Sequence, residues 1–105
     1  MITALDNFDS QTFAEQLHTK FKVHLEQHPP LEMELVEVEE RDTSPRIELF
    51  FLRFQGPPSP LVPQGIRRFE HEKLGAFEIF ITAIGMDEKG LLYESVFQRF
   101  RKDQK

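Results

Sequence analysis

Hydrophobic residues recur at every second position along much of this chain, the spacing of a pleated strand with one face buried. From Lys20 to Glu26, Phe21, Val23 and Leu25 alternate with Lys22, His24 and Glu26. From Leu31 to Glu40 the pattern starts with Leu31, Met33 and Leu35 on one face, then slips so that Val36 and Val38 take the apolar places. A one-residue slip exchanges the two faces of a strand, so the pattern predicts a β-bulge at Leu35-Val36. Further strands are predicted from Arg46 to Phe54, Gly65 to His71, Ala76 to Ile84 and Leu91 to Gln98. Turn residues separate them at Gln27-His28-Pro29-Pro30, Asp42-Thr43-Ser44-Pro45, Glu72-Lys73-Leu74-Gly75 and Met86-Asp87-Glu88-Lys89-Gly90. Near the N-terminus the period changes. Phe13, Leu17 and Phe21 fall at i, i+4 and i+8 behind an Asp9 or Ser10 cap, which predicts one helix from Ser10 to Thr19. A helix that short needs a sheet to pack against.

The stretch Phe54-Gln55-Gly56-Pro57-Pro58-Ser59-Pro60-Leu61-Val62-Pro63-Gln64-Gly65 holds four of the seven prolines. Proline lacks an N–H and fixes φ, so this run is neither a central strand nor a helix interior. It reads as a fixed, extended connector; its Pro-x-x-Pro spacings also fit a polyproline ligand, the less economical reading between two strands. The fold class expected is a β-rich α+β domain, with the short N-terminal helix followed by about six antiparallel strands curled into a small barrel or meander sheet. The 105 residues suit a single domain, with residues 1–8 and 99–105 expected as flexible ends and 55–65 as a connector within the domain.

Three strands are apolar on both faces. Phe50, Leu52 and Phe54 oppose Ile47, Leu49 and Phe51; Phe77, Ile79 and Ile81 oppose Phe80 and Ile84; Tyr93 and Phe97 oppose Leu92 and Val96. A sheet with one wet face alternates more cleanly. Either the helix and Pro60-Leu61-Val62-Pro63 cover the second face, or it meets a protein partner or another copy of the chain. The residues expected to border such an interface are Leu49, Phe51, Leu61, Val62 and Phe80.

Composition narrows the chemistry. Eleven phenylalanines, one tyrosine and no tryptophan favour packing, because a buried Phe needs no polar partner. Without cysteine there is no disulfide framework, thiolate nucleophile or Cys-based zinc site. The opening Met1-Ile2-Thr3-Ala4-Leu5-Asp6 lacks the features of a secretory signal, and the expected localisation is cytoplasmic. No apolar run is long enough for a membrane span, and a net charge of −5 argues against nucleic acid as a partner. Adjacent Arg67 and Arg68 point to opposite faces of a strand.

His18, His24 and His28 have metal-pair spacing only on a helix, and His24 lies on a strand. Glu32, Glu34, Glu37, Glu39, Glu40 and Asp42 make an acidic ridge without the Gly-bearing turn of a calcium loop. Glu70 and Glu72 share one strand face and His71 takes the other, so the three suit a hairpin start better than a catalytic set. Ser10, Ser44, Ser59 and Ser95 lack a nucleophile elbow. The expectation is therefore a non-enzymatic interaction or structural module, with no catalytic, cofactor-binding or metal-ligating residues. A small-ligand-binding barrel is the alternative. An enzyme built on His71 and Glu70 ranks third.

From Phe54 onward the chain resembles a small bacterial family known only as a domain of unknown function. The matching residues are Gly56, Pro57, Pro60, Pro63, Gln64 and Gly65, then Phe69, Glu70, His71, Leu74 and Gly75, and finally Tyr93, Glu94, Val96 and Phe97. Thr12-Phe13 and Leu35-Val36-Glu37-Val38 resemble the family's N-terminal half, while Pro58 and the tail after Phe97 depart from its pattern. The resemblance carries no activity. It implies an accessory of a larger, phage-tail-like bacterial assembly.

Overall fold

The computed structural model describes residues 8–100, with the side chains of 42–44 left aside. Its elements are α1 (Ser10–Ala14), β1 (Lys20–Leu25), β2 (His28–Ser44), β3 (Ile47–Gly56), β4 (Gly65–His71), β5 (Gly75–Asp87) and β6 (Gly90–Phe100). All neighbouring strands are antiparallel, and the sheet closes on itself in the order β1-β2-β3-β6-β5-β4. The closing ladder between β1 and β4 is short, with Lys22 opposite Glu70 and Val23 opposite Phe69. The expected bulge is present: the β2–β3 register shifts between Leu35 and Glu37.

Side chains fill the interior. Eight of the eleven phenylalanines are buried there (Phe8, Phe13, Phe21, Phe50, Phe54, Phe69, Phe77 and Phe97), joined by Met33, Leu35, Leu52, Ile81 and Tyr93. Phe50 and Phe97 sit opposite each other on β3 and β6 and stack with centroids 4.7 Å apart. Phe13 delivers the helix into this core, with its ring 5.5 Å from Phe8, 5.9 Å from Phe77 and 5.6 Å from Phe97.

The helix is shorter than its periodicity predicts. Asp9 caps it, its carboxylate accepting from the Thr12 N–H at 2.8 Å, and the same bond holds the Asp9 carboxyl below its ordinary value. It ends at Ala14 because the chain joins the sheet early. His18 N–H donates to the Leu35 carbonyl at 2.7 Å, and Leu35 N–H donates to the Thr19 carbonyl at 3.1 Å. Leu17, expected on the buried stripe, therefore lies exposed.

Two turns also move. Pro29 and Pro30 lie inside β2 rather than in a turn, because β3 pairs with β2 only from Glu34 onward and leaves this stretch an edge where a missing N–H costs little. Residues 42–44 continue β2, and the turn falls at Pro45-Arg46.

The proline connector, with a cis Ser59–Pro60 bond, folds back over the ring. Val62 N–H donates to the Tyr93 hydroxyl at 2.9 Å, and the Val62 side chain is fully buried. This satisfies the one buried phenol and corrects one expectation: Val62 is core, not interface. Of the ends expected to be flexible, residues 1–7 and 101–105 lie outside the described residues. Phe8 is buried against Phe13 and Phe77, and Arg99 and Phe100 belong to β6.

Candidate interaction surface

His71 is the most buried histidine described, and its surroundings assign its role. Its Nδ1 accepts from the backbone N–H groups of Lys73 at 3.0 Å and Leu74 at 3.4 Å. The Thr19 hydroxyl donates to the Gln16 carbonyl at 2.6 Å, so at 2.8 Å from His71 Nε2 it can only accept the ring proton. The imidazole is thus neutral and lies tilted against the Phe21 ring, centroids 4.4 Å apart, tying the β4–β5 turn to the start of β1. Burial pushes its pKa below the ordinary value of 6.5, with Glu72 opposing and Lys73 reinforcing the shift.

The unfolded chain therefore takes up this proton near pH 6.5 and the folded one only at lower pH. The stability His71 contributes is complete above that value and is lost as pH falls through the folded pKa. Urea midpoints should decline in the window just below about pH 6.5, before the lowered carboxylates of Asp9, Glu39 and Glu70 act, and His71→Gln should remove that part of the decline. A midpoint flat over that window in the wild type would contradict the neutral, doubly bonded ring.

The other histidines are dispersed as the sequence predicts. His18 Nδ1 lies 3.0 Å from Glu34, His24 Nε2 lies 3.1 Å from Glu70, and His28 bonds the Pro29 carbonyl. His24 is the main cause of the lowered Glu70 carboxyl. Among the described residues no three His, Asp or Glu side chains converge where a metal could sit. A hollow of about 490 Å³ lies beside His71 and is lined by Lys20, Lys22, Glu32, Glu70 and Glu72. Its imidazole is committed to the turn, Glu70 to His24 and Arg68, and Lys20 faces Glu34 at 3.8 Å.

The outer wall of the ring offers a different feature. Phe51 on β3 faces Val96 on β6, and Ile66 on β4 faces Phe80 on β5. Phe80 and Val96 line one groove of about 370 Å³, opened where β5 and β6 part beyond the Thr82–Glu94 pair. Phe51, Val96, Phe80 and Ile66 thus form one apolar stripe across four strands, outside the core. Phe80 and Val96 are 51% exposed and Ile66 is 67% exposed.

Of the residues expected to border an interface, Phe51 and Phe80 lie in this stripe. Leu49 flanks it, two residues before Phe51 on the same face. Leu61 is exposed on the connector. Val96, which periodicity places on the second apolar face of its strand, and Ile66, which it does not single out, complete the stripe. The tight β4–β5 turn pairs His71 with Gly75, and counting back along both strands puts Ile66 opposite Phe80.

Charges pin the stripe at its β3 end. Arg53 contacts Glu37 at 3.0 Å, Glu39 at 2.9 Å and Glu94 at 3.0 Å, and these carboxylates raise its already high pKa against the effect of burial. The Phe51 ring lies under the Arg41 and Arg53 guanidinium groups, 4.5 and 5.5 Å from its centroid. One end of the stripe is therefore ordered, and the Phe80 end is open.

A family model described as a domain of unknown function, DUF6916, matches residues 8–97. No curated protein and no solved structure matches the chain.

Proposed function

The chain belongs to the DUF6916 family, and from that premise we propose that it is a non-enzymatic protein-interaction module that presents the outer stripe of Phe51, Val96, Phe80 and Ile66 to a protein partner. The observation that carries this reading is the stripe itself: four large apolar side chains, contiguous across four strands and outside a core that is already full. Contiguous exposed apolar area on a small domain is the usual mark of an interface, whereas single exposed apolar residues are not. A place as an accessory in a larger assembly fits such a surface. The filled interior weighs against the reading as a ligand-binding barrel, because Phe13, Phe21, Phe54, Phe69 and Tyr93 occupy the space a ligand would need.

Phe80→Lys tests the proposal. The side chain is half exposed, so the urea unfolding free energy should change by no more than about 0.5 kcal/mol, as for an ordinary surface position. A complex recovered with the wild-type protein from its own host should be lost. Loss of cooperative unfolding would place Phe80 in the core, and an unchanged complex would remove the stripe from the interface.

A further inference from the structure

Independently of the outer stripe, we infer that the ring has a built-in seam between β1 and β4, held shut by a side-chain latch from Thr19 to His71 and opened by acid while the other ladders stay closed. This seam is the weakest join in the ring. Its ladder holds two residue pairs, Lys22–Glu70 and Val23–Phe69, where every other ladder holds five or more. The same register continued would set Phe21 opposite His71 and Lys20 opposite Glu72, yet among the described residues no backbone pairing joins them. The hollow beside His71 opens there instead, lined by residues of both strands and by Gly75 and Ala76 of β5.

Side chains bridge the opening. Thr19 Oγ1 lies 2.8 Å from His71 Nε2, and both ends of this latch are mounted on fixed backbone. The Thr19 carbonyl accepts from the Leu35 N–H, and the Thr19 hydroxyl donates to the Gln16 carbonyl. His71 Nδ1 accepts from the N–H groups of Lys73 and Leu74. One hydrogen bond therefore couples the β1–β2 hairpin to the β4–β5 hairpin. A second tie lies on the outer face, where His24 Nε2 is 3.1 Å from Glu70.

The latch holds in one protonation state, with Nε2 donating and Nδ1 accepting. A proton added at Nδ1 would face two N–H donors and no acceptor, so the ring would have to leave the turn. The surrounding charges do not prevent this. Burial is the main obstacle to the added charge, Glu72 draws it and Lys73 repels it. Glu70 is engaged by His24 and Arg68, and it projects from the strand face opposite His71. From β1, Lys20 and Lys22 add positive charge along the hollow; from β2, Glu34 lies near Lys20 and Glu32 stands opposite Lys22. A proton on His24 strengthens its tie to Glu70, but both side chains are 36% exposed, where such a pair contributes little. The balance at the seam thus follows His71. Release leaves β1 on β2 and β4 on β5, and it uncovers Phe21 and Phe69, which are fully buried while the ring is shut.

Residue-resolved hydrogen exchange by NMR on the full chain, from about pH 7.5 to about pH 5 and corrected for intrinsic exchange, tests the seam. The amides of Lys73 and Leu74, and those of Lys22, Val23, Phe69 and Glu70, should lose protection below about pH 6.5, with a slope approaching about tenfold per pH unit, the signature of one proton. Amides of the β3–β6 ladder should keep theirs. His71→Gln, whose side chain can donate to Thr19 and accept from the turn without titrating, should abolish the slope. Thr19→Val should release the same amides at neutral pH; if that variant does not fold, wild type and His71→Gln decide. Protection lost in all strands together, protection at the seam unchanged across the range, a slope retained in His71→Gln, or a folded Thr19→Val with wild-type protection would each overturn the inference.

Discussion

Gly90→Ala is expected to destabilise the domain by at least about 3 kcal/mol, as a drop in urea midpoint. Gly90 opens β6 with φ +143°, a conformation L side chains rarely adopt, and a Cβ there would lie 2.1 Å from the Gly56 carbonyl oxygen. The obstacle is backbone, not a flexible side chain. Gly56 ends β3, paired with Leu91, so relief must come from the β3–β6 ladder or from the turn before it. That turn is pinned as well, because the Asp87 carboxylate accepts from the N–H groups of Lys89 at 2.9 Å and Gly90 at 3.1 Å and from Gln55 at 2.6 Å. Gly85→Ala is the control: nothing lies within 4 Å of a Cβ there, and its midpoint should stay near the wild type. Equal stabilities of the two variants would contradict the β3–β6 register.

Phe13→Ala is expected to cost about 3–5 kcal/mol, a large fraction of the stability of a domain this size. The ring is fully buried and touches phenylalanines from the N-terminal segment, from β3, and from β5 and β6, the two strands that part at the groove. Truncation would leave a cavity lined by rings on strands fixed in their ladders, which collapse poorly. The helix has five residues and no independent stability, so it would detach with its anchor. Thermal denaturation should show the midpoint falling by more than about 12 °C. A fall of only a few degrees would mean that the helix does not plug the ring.

The parts of this fold legible in the sequence are those governed by nearest neighbours. The slip at Leu35-Val36 appears as a register shift because alternation must stay in phase with the pleat. The proline run ends β3 and precedes β4 because proline cannot donate to a ladder. His71 bonds the turn that follows it, as its place at a hairpin start suggested. What periodicity cannot show is which distant strands meet. Closure rests on β1 finding β4 through two residue pairs, and the alternation in either strand would serve another neighbour equally well. The burial of Val62 escapes periodicity for the same reason: it depends on Tyr93, 31 residues away. The helix is shorter than its period predicts because the backbone bonds of His18 to Leu35 and of Leu35 to Thr19 outweigh the propensity of one more turn. Phe51, Phe80 and Val96 are legible as second apolar faces. Ile66 requires the strand order, as does the fact that four scattered residues form one surface.

The function proposed for this chain lies on its outer wall, as a surface for another protein, around an interior filled by its own side chains. Native mass spectrometry on protein purified without denaturation from its own host tests that claim most directly. The account predicts a species heavier than 12.4 kDa by the mass of a second protein chain, lost in Phe80→Lys. A monomer carrying only a few hundred daltons of small molecule, or a bare monomer in wild type and variant alike, would contradict it.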